Sequence, residues 1–299
     1  VTIFLFCFSL SSSFSQESSS IVLVKPGYSP ESKAVFRSMA EYLELYMPGT
    51  GLENIYSMMA RDALELNGFF VAVGSEKYVL TLAEPIRPVR QVRLSWTLSN
   101  GTVITDENAF PVFYDDEAGI SLISPSLTDL PPALLLTDTL PQDGGDVWSI
   151  GYQNLLGQPK LETLRGNVSN NRLFLSEGAT DRQTTYIQHT ITGSEISSGS
   201  PLFPGTPGRL VPVVGMNVSL PIQRSNTAFS VPGVALIDAL NRFQTYDRAD
   251  KIVDVILERN RVLNNFLNAP SWNENAYHAF LPPDQLIDKG WEVLRGILS

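Results

Sequence analysis

Two spacings of hydrophobic residues alternate along the 299-residue chain. Ala34, Met39, Leu43 and Tyr46 recur at partial helical spacing behind Ser29, which can cap, and Pro30, which fits a first turn; a helix is predicted over 29–47, ended by Pro48-Gly49. A second helical run, from about Leu52 to Leu66, stops at Asn67-Gly68. From Phe69 to Pro232 the pattern becomes short runs rich in Val, Ile, Leu, Phe and Thr, separated by Gly, Pro and Asn. FFVAV, KYVLTL, VRLSWTL, TVITD, ISLIS, VWSIGY, RLFLS, TTYIQHTI, LVPVVGMNV and AFSVP are the expected strands, and so many short strands predict a β-barrel or sandwich. Ser99-Asn100-Gly101-Thr102 carries a hairpin signal, because Asn-Gly accepts the positive φ angles of a tight turn. From about Val234 helical spacing returns, first through Leu236, Ile237, Leu240 and Phe243, then through Ile252, Val255, Ile256, Leu263 and Phe266. A break near 269–274 precedes a last helix over about 283–298.

Charge and rare residues narrow the chemistry. Lys+Arg 21 against Asp+Glu 31 gives a net charge of −10 with no basic run, which is not the footprint of a nucleic-acid binder. Two histidines and one cysteine exclude, by counting, a Cys-rich zinc site, a disulfide framework and a thiol-redox motif. A metal site needs three or four clustered ligands, so neither a metal nor a cofactor is expected. The uncharged stretch VTIFLFCFSLSSSFS has the apolar centre and the small residues, Ser13 and Ser15, of a secretory signal peptide, though without a basic start. Residues 1–15 are therefore expected to be removed, Cys7 with them, from a protein exported to the periplasm or outside the cell. No later segment reaches the roughly 20 apolar residues of a membrane span.

Five segments in fixed order carry a family resemblance. Ser197-Ser198-Gly199-Ser200-Pro201-Leu202 resembles the nucleophile turn Gly-Asn-Ser-Gly-Gly-Pro-Leu of the trypsin-like serine peptidases. Ile187-Gln188 stands where the HtrA-type branch often has Ile-Gln. Val214-Gly215-Met216-Asn217 resembles the family's Val-Ile-Gly-Ile-Asn strand, and Ala228-Phe229-Ser230-Val231-Pro232 its Phe-Ala-Ile-Pro segment. Farther upstream, 145–151 resembles Gly-Asp-x-Val-x-Ala-Ile-Gly. The resemblance spans about residues 67–240 and implies a mainly β, two-barrel chymotrypsin-like domain. Its boundaries are expected at 67–233, with a first barrel over about 67–140 and a second over about 141–233. A helical segment over 16–66 precedes it, and another over 234–299 follows, too short and too helical for the PDZ domain that HtrA proteins commonly append.

The resemblance also assigns roles. Ser198 falls on the nucleophile, and a serine hydroxyl needs a base within hydrogen-bond reach. The histidine position, in Thr81-Leu82-Ala83-Glu84-Pro85, is Glu84. The position of the orienting aspartate, in Gly119-Ile120-Ser121-Leu122-Ile123, is Gly119, with Asp115, Asp116 and Glu117 just before it. Glutamate, with an ordinary pKa of about 4.3, is a weaker base than imidazole by some two units. Loss of the base from such a unit costs on the order of a million-fold in turnover. The oxyanion hole would be formed by the amides at Ile196 and Ser198, and Ile196 replaces a glycine. His189, Thr190, Thr192, Gly215 and Asn217 would line the substrate cleft, while His278 lies apart among Tyr277 and Phe280. The expectation is a catalytically impaired or inactive peptidase homologue that binds an extended peptide or protein segment by strand addition. The alternatives are an active serine endopeptidase using Ser198 with an unusual base (Glu84, His189 or a carboxylate at 115–117), and a structural envelope protein that keeps only the scaffold. The helical ends offer a route to homo-oligomers.

Overall fold

The chain enters the fold through a strand that its hydrophobic spacing did not mark. The computed structural model describes residues 17–46, 52–89, 91–155, 158–176, 183–191, 198–208, 211–218 and 227–245. The expected signal peptide, Thr192, Ile196, His278 and the helices expected beyond residue 245 lie outside them. Strand β1, Ile21–Gly27, pairs antiparallel with β2, Leu66–Val73, on one side and with β4, Gln91–Thr97, on the other. With β3 (Glu76–Leu82), β5 (Val103–Asp115) and β6 (Ile120–Ser124) it closes a barrel in the order β1-β2-β3-β6-β5-β4.

The first barrel thus begins at Ile21 rather than at residue 67, and the two helices lie within its chain rather than ahead of it. Ile21-Val22-Leu23-Val24 lacks alternation because both of its faces are buried, which removes the signal of a half-exposed strand. Helix α1, Pro30–Tyr46, starts as its sequence predicts: the Ser29 hydroxyl accepts from the Ser32 amide at 3.1 Å, and Pro30 occupies the first turn. Helix α2, Leu52–Ala60, returns beside it, and Lys33 ion-pairs with Asp62. Phe36, Met39 and Leu43 of α1 and Tyr56 and Met59 of α2 share a core with Val22, Phe70, Val79, Leu94, Trp96 and Ile123 of the barrel.

The second barrel consists of β7 (Asp146–Leu155), β8 (Gln158–Ser176), β9 (Gln183–His189), β10 (Pro201–Pro204), β11 (Gly215–Val218) and β12 (Ala228–Pro232), in the order β10-β11-β12-β9-β8-β7. One set of alternate residues, including Trp148, Ile150, Phe203, Met216 and Phe229, shares a core with Ile21, Phe69, Leu80 and Leu122 of the first barrel. The last helix among the described residues, α3 (Gly233–Thr245), adds Leu236 and Phe243 to that core, the latter edge-on to Tyr78 at 5.1 Å. The opposite set in the second barrel is small in its apolar part, Val147, Val168, Ile187, Ile191, Leu202 and Val214. Buried Ser149, His189, Ser200, Asn217 and Ser230 accompany it. That polar content bears on the site.

Candidate active site

The serine turn is built where the barrels meet. Ser198, Gly199 and Ser200 lead into β10, and Gly199 has φ +88°, in the left-handed region. A Cβ there would stand 1.9 Å from the carbonyl oxygen of Asn67 in β2, so only glycine allows this approach. The Asn67 amide donates to the Ser198 carbonyl at 2.9 Å, the Gly199 amide donates to the Asn217 carbonyl at 2.8 Å, and the Thr81 hydroxyl donates to the Asn67 carbonyl at 2.7 Å. Ser198 is 5% exposed, and among the described residues its hydroxyl has no hydrogen-bond partner.

Glu84 lies just beyond β3, three residues after Thr81. The Ala83 amide donates to the Gly119 carbonyl at 3.0 Å, which brings the expected base position beside the expected aspartate position. The Tyr28 hydroxyl donates to the Pro85 carbonyl at 2.9 Å and ties the start of α1 to this turn. Loss of hydration pushes the Glu84 carboxyl up to about 7, with Arg87 acting in the opposite direction. Glu84 nevertheless keeps an exposed surface, and that contact with water limits the rise. Burial first, and the Glu84 charge second, push the Tyr28 and Tyr56 hydroxyls up.

No carboxylate stands free at the aspartate position. Gly119 has φ +65° in the turn that leads to β6, a conformation that suits a turn glycine rather than an aspartate. Asp115 is bound by Arg242 through two hydrogen bonds and accepts a third from the Ala118 amide at 2.7 Å. Glu117 pairs with Arg242 at 2.9 Å, and Asp116 pairs with Arg87. The guanidinium of Arg87 also lies 5.6 Å from the centre of the Tyr114 ring.

His189 and Asn217, expected along a substrate cleft, are instead buried in the second barrel. The Ile191 amide donates to Nδ1 of His189 at 3.3 Å, which leaves Nε2 to carry the proton and donate to the Ser230 hydroxyl at 2.9 Å. Ser230 donates to Oδ1 of Asn217 at 2.7 Å, and Nδ2 of Asn217 donates to the hydroxyls of Ser149 at 2.9 Å and Ser200 at 2.8 Å. The Ser149 hydroxyl donates to the Pro201 carbonyl at 2.8 Å. Both ring nitrogens of His189 are therefore engaged away from Ser198, and burial holds its pKa down at about 4. Gly215 is buried with this network, whereas Thr190 is exposed and its hydroxyl accepts from the Asn167 amide at 2.9 Å. Among the described residues no three His, Cys, Asp or Glu side chains are grouped to hold a metal.

Sequence reasoning missed Asn67, Thr81 and Arg87. In the hydrophobic pattern Asn67 marks only a helix stop, although its place beside Gly68-Phe69, at the start of the segment that carries the resemblance, is a usable signal.

Two closed six-stranded barrels, with the serine turn of the second resting on β2 and β3 of the first, define a chymotrypsin-like two-barrel protein. The trypsin-like peptidase domain model matches residues 67–216, half of the chain, and the chain belongs to that family. Its fold is similar to that of the MamO protease domain from Magnetospirillum magneticum, with 17% identity and TM-score 0.50 over 75% of this chain and 96% of that one. It is also similar to the active form of the Rv3671c protease from M. tuberculosis, with 15% identity and TM-score 0.54 over 81% and 88% of the two chains. Deg5 gives 16% identity and TM-score 0.52 over 81% and 96%. Among curated protein sequences none matches significantly.

Proposed function

We propose that this is an exported, HtrA-type member of the family that binds extended peptide or protein segments between its barrels and does not turn them over efficiently. The observation that carries the reading is that, Glu84 apart, each candidate for a base or its orienting group is engaged elsewhere or has no side chain. His189 is turned into the second barrel, Asp115 and Glu117 are held by Arg242, Asp116 is held by Arg87, and Gly119 has no side chain. A serine hydroxyl without a proton acceptor is a poor nucleophile. Export rests on the leader-like first 15 residues.

One observation favours a second reading, an endopeptidase with Glu84 as the base. Glu84 stands at the family's base position, its turn held beside Gly119 by the Ala83–Gly119 bond, and partial loss of hydration raises its carboxyl above the ordinary carboxylate range, towards where a general base works near neutral pH. Labelling by a fluorophosphonate probe separates the two. On the first reading the purified protein stays unlabelled while it binds fluorescent decapeptides without cleaving them. Labelling that vanishes in Ser198→Ala and in Glu84→Gln establishes the second. Neither labelling nor peptide binding leaves an inert scaffold.

A further inference from the structure

Asn67 is fully buried and makes two sets of contacts in different directions. Its main chain faces the serine turn, donating to the Ser198 carbonyl at 2.9 Å and placing its own carbonyl against Gly199. Its side chain faces β7, where Oδ1 accepts from the Tyr152 amide at 2.6 Å and Nδ2 donates to the Tyr152 carbonyl at 3.2 Å. A side-chain amide that takes both polar groups of one residue's backbone imitates the paired exchange of two antiparallel strands. The neighbouring Gly151 leaves room for it: a Cβ there would lie 3.0 Å from both Oδ1 of Asn67 and Cβ of Ser200. The amide of Asn67, the backbone of β7 and the serine turn therefore converge on one buried point.

We infer that Asn67 is a positioning residue, whose side chain fixes β7 against β2 and through that junction sets the conformation of the Ser198-Gly199 turn. A second bond between the barrels serves as its control. The hydroxyls of Thr97 in β4 and Tyr152 in β7 lie 3.1 Å apart, so this bond joins the first barrel to the same residue of β7 without touching the turn. A bond that only holds the barrels together would be equivalent to it. The Asn67 amide is not equivalent, because the same residue's main chain grips Ser198.

Hydrogen exchange of the whole protein, read by mass spectrometry on the segment that contains the Gly199 amide, tests this without any ligand, and so stands or falls independently of peptide binding. Asn67→Ala is expected to speed exchange there at least tenfold, while Thr97→Val leaves it at the wild-type rate. Should Asn67→Ala not fold, Asn67→Ser, whose hydroxyl is too short to bridge both polar groups of Tyr152, carries the test and is expected to accelerate the same segment. Equal acceleration in Thr97→Val, or wild-type exchange in the Asn67 variants, overturns the assignment.

Discussion

Arg242 holds the Asp115 carboxylate in a forked grip, with Nε 2.6 Å from Oδ2 and Nη2 2.9 Å from Oδ1. The pair joins α3, which follows the second barrel, to the end of β5 in the first. Asp115 is almost fully buried in this contact while Arg242 keeps about a third of its side chain exposed. Arg242→Ala should therefore cost about 1–3 kcal/mol, less than the loss of a wholly buried partner. Arg93→Ala, whose pair with Glu107 is more than half exposed on both sides, should cost under about 1 kcal/mol. Urea unfolding of the two variants checks the order.

Among the described turn glycines with positive φ, Gly199 is predicted to be the least replaceable. Alanine would meet both the left-handed backbone and the Asn67 carbonyl, so Gly199→Ala should lose about 2–5 kcal/mol. Gly205 has a similar φ, +75°, with open space where a Cβ would stand, and Gly205→Ala should lose only about 1–2 kcal/mol. Thermal unfolding of the pair isolates the close approach from the backbone strain.

His189 and Glu84 pull the pH dependence of stability in opposite directions. The His189 pKa falls from 6.5 to about 4 on folding, so its contribution, on the order of 3 kcal/mol, is complete above about pH 6.5 and is lost as the pH drops to about 4. Glu84 rises from 4.5 to about 7, so its contribution is present below about pH 4.5 and is lost as the pH climbs through 7, to an extent reduced by its contact with solvent. Glu17, also raised to about 7 by burial, acts in the sense of Glu84 in every variant. Between pH 4.5 and 7 the urea midpoint of Glu84→Gln should rise more steeply than that of the wild type, and that of His189→Gln should rise less or fall. Matching slopes in all three proteins would contradict the assignment.

Placing a histidine at position 84 should not by itself restore a reactive serine. The neighbour it would find is the Arg87 guanidinium, a cation that neither orients an imidazole nor favours its protonation, and the nearby carboxylates are already bound. Glu84→His should label with a fluorophosphonate within twofold of the unmodified protein.

Much of the two-barrel scaffold was legible because its strands obey local rules. KYVLTL, VRLSWTL and AFSVP fall on β3, β4 and β12 with ends within one residue, since side-chain alternation and flanking turn residues act over a few positions. The first half of β8, which carries Lys160, Glu162, Arg165 and Asn167, was not legible. Its pairing with β7 is supplied by backbone bonds and leaves no apolar stripe to read. The serine turn was found through its Gly-Ser-Pro sequence, but the direction of His189 was not. Whether residue 189 faces into the barrel is a matter of strand parity, and parity is fixed by β12, where Ala228 lies opposite His189. The commitments of Asp115, Asp116 and Glu117 likewise depend on Arg87 and Arg242, which only the tertiary fold brings near.

The first strand has a consequence for biosynthesis. Ile21 needs Phe69 and Leu23 needs Ser95, so a chain emerging from the ribosome carries β1 without either neighbour while α1 and α2 assemble locally. The hairpin of helices can dock only after the strands on both sides of it have been translated. Until then an apolar strand edge stays open to other chains, and that interval is where a folding helper has something to shield.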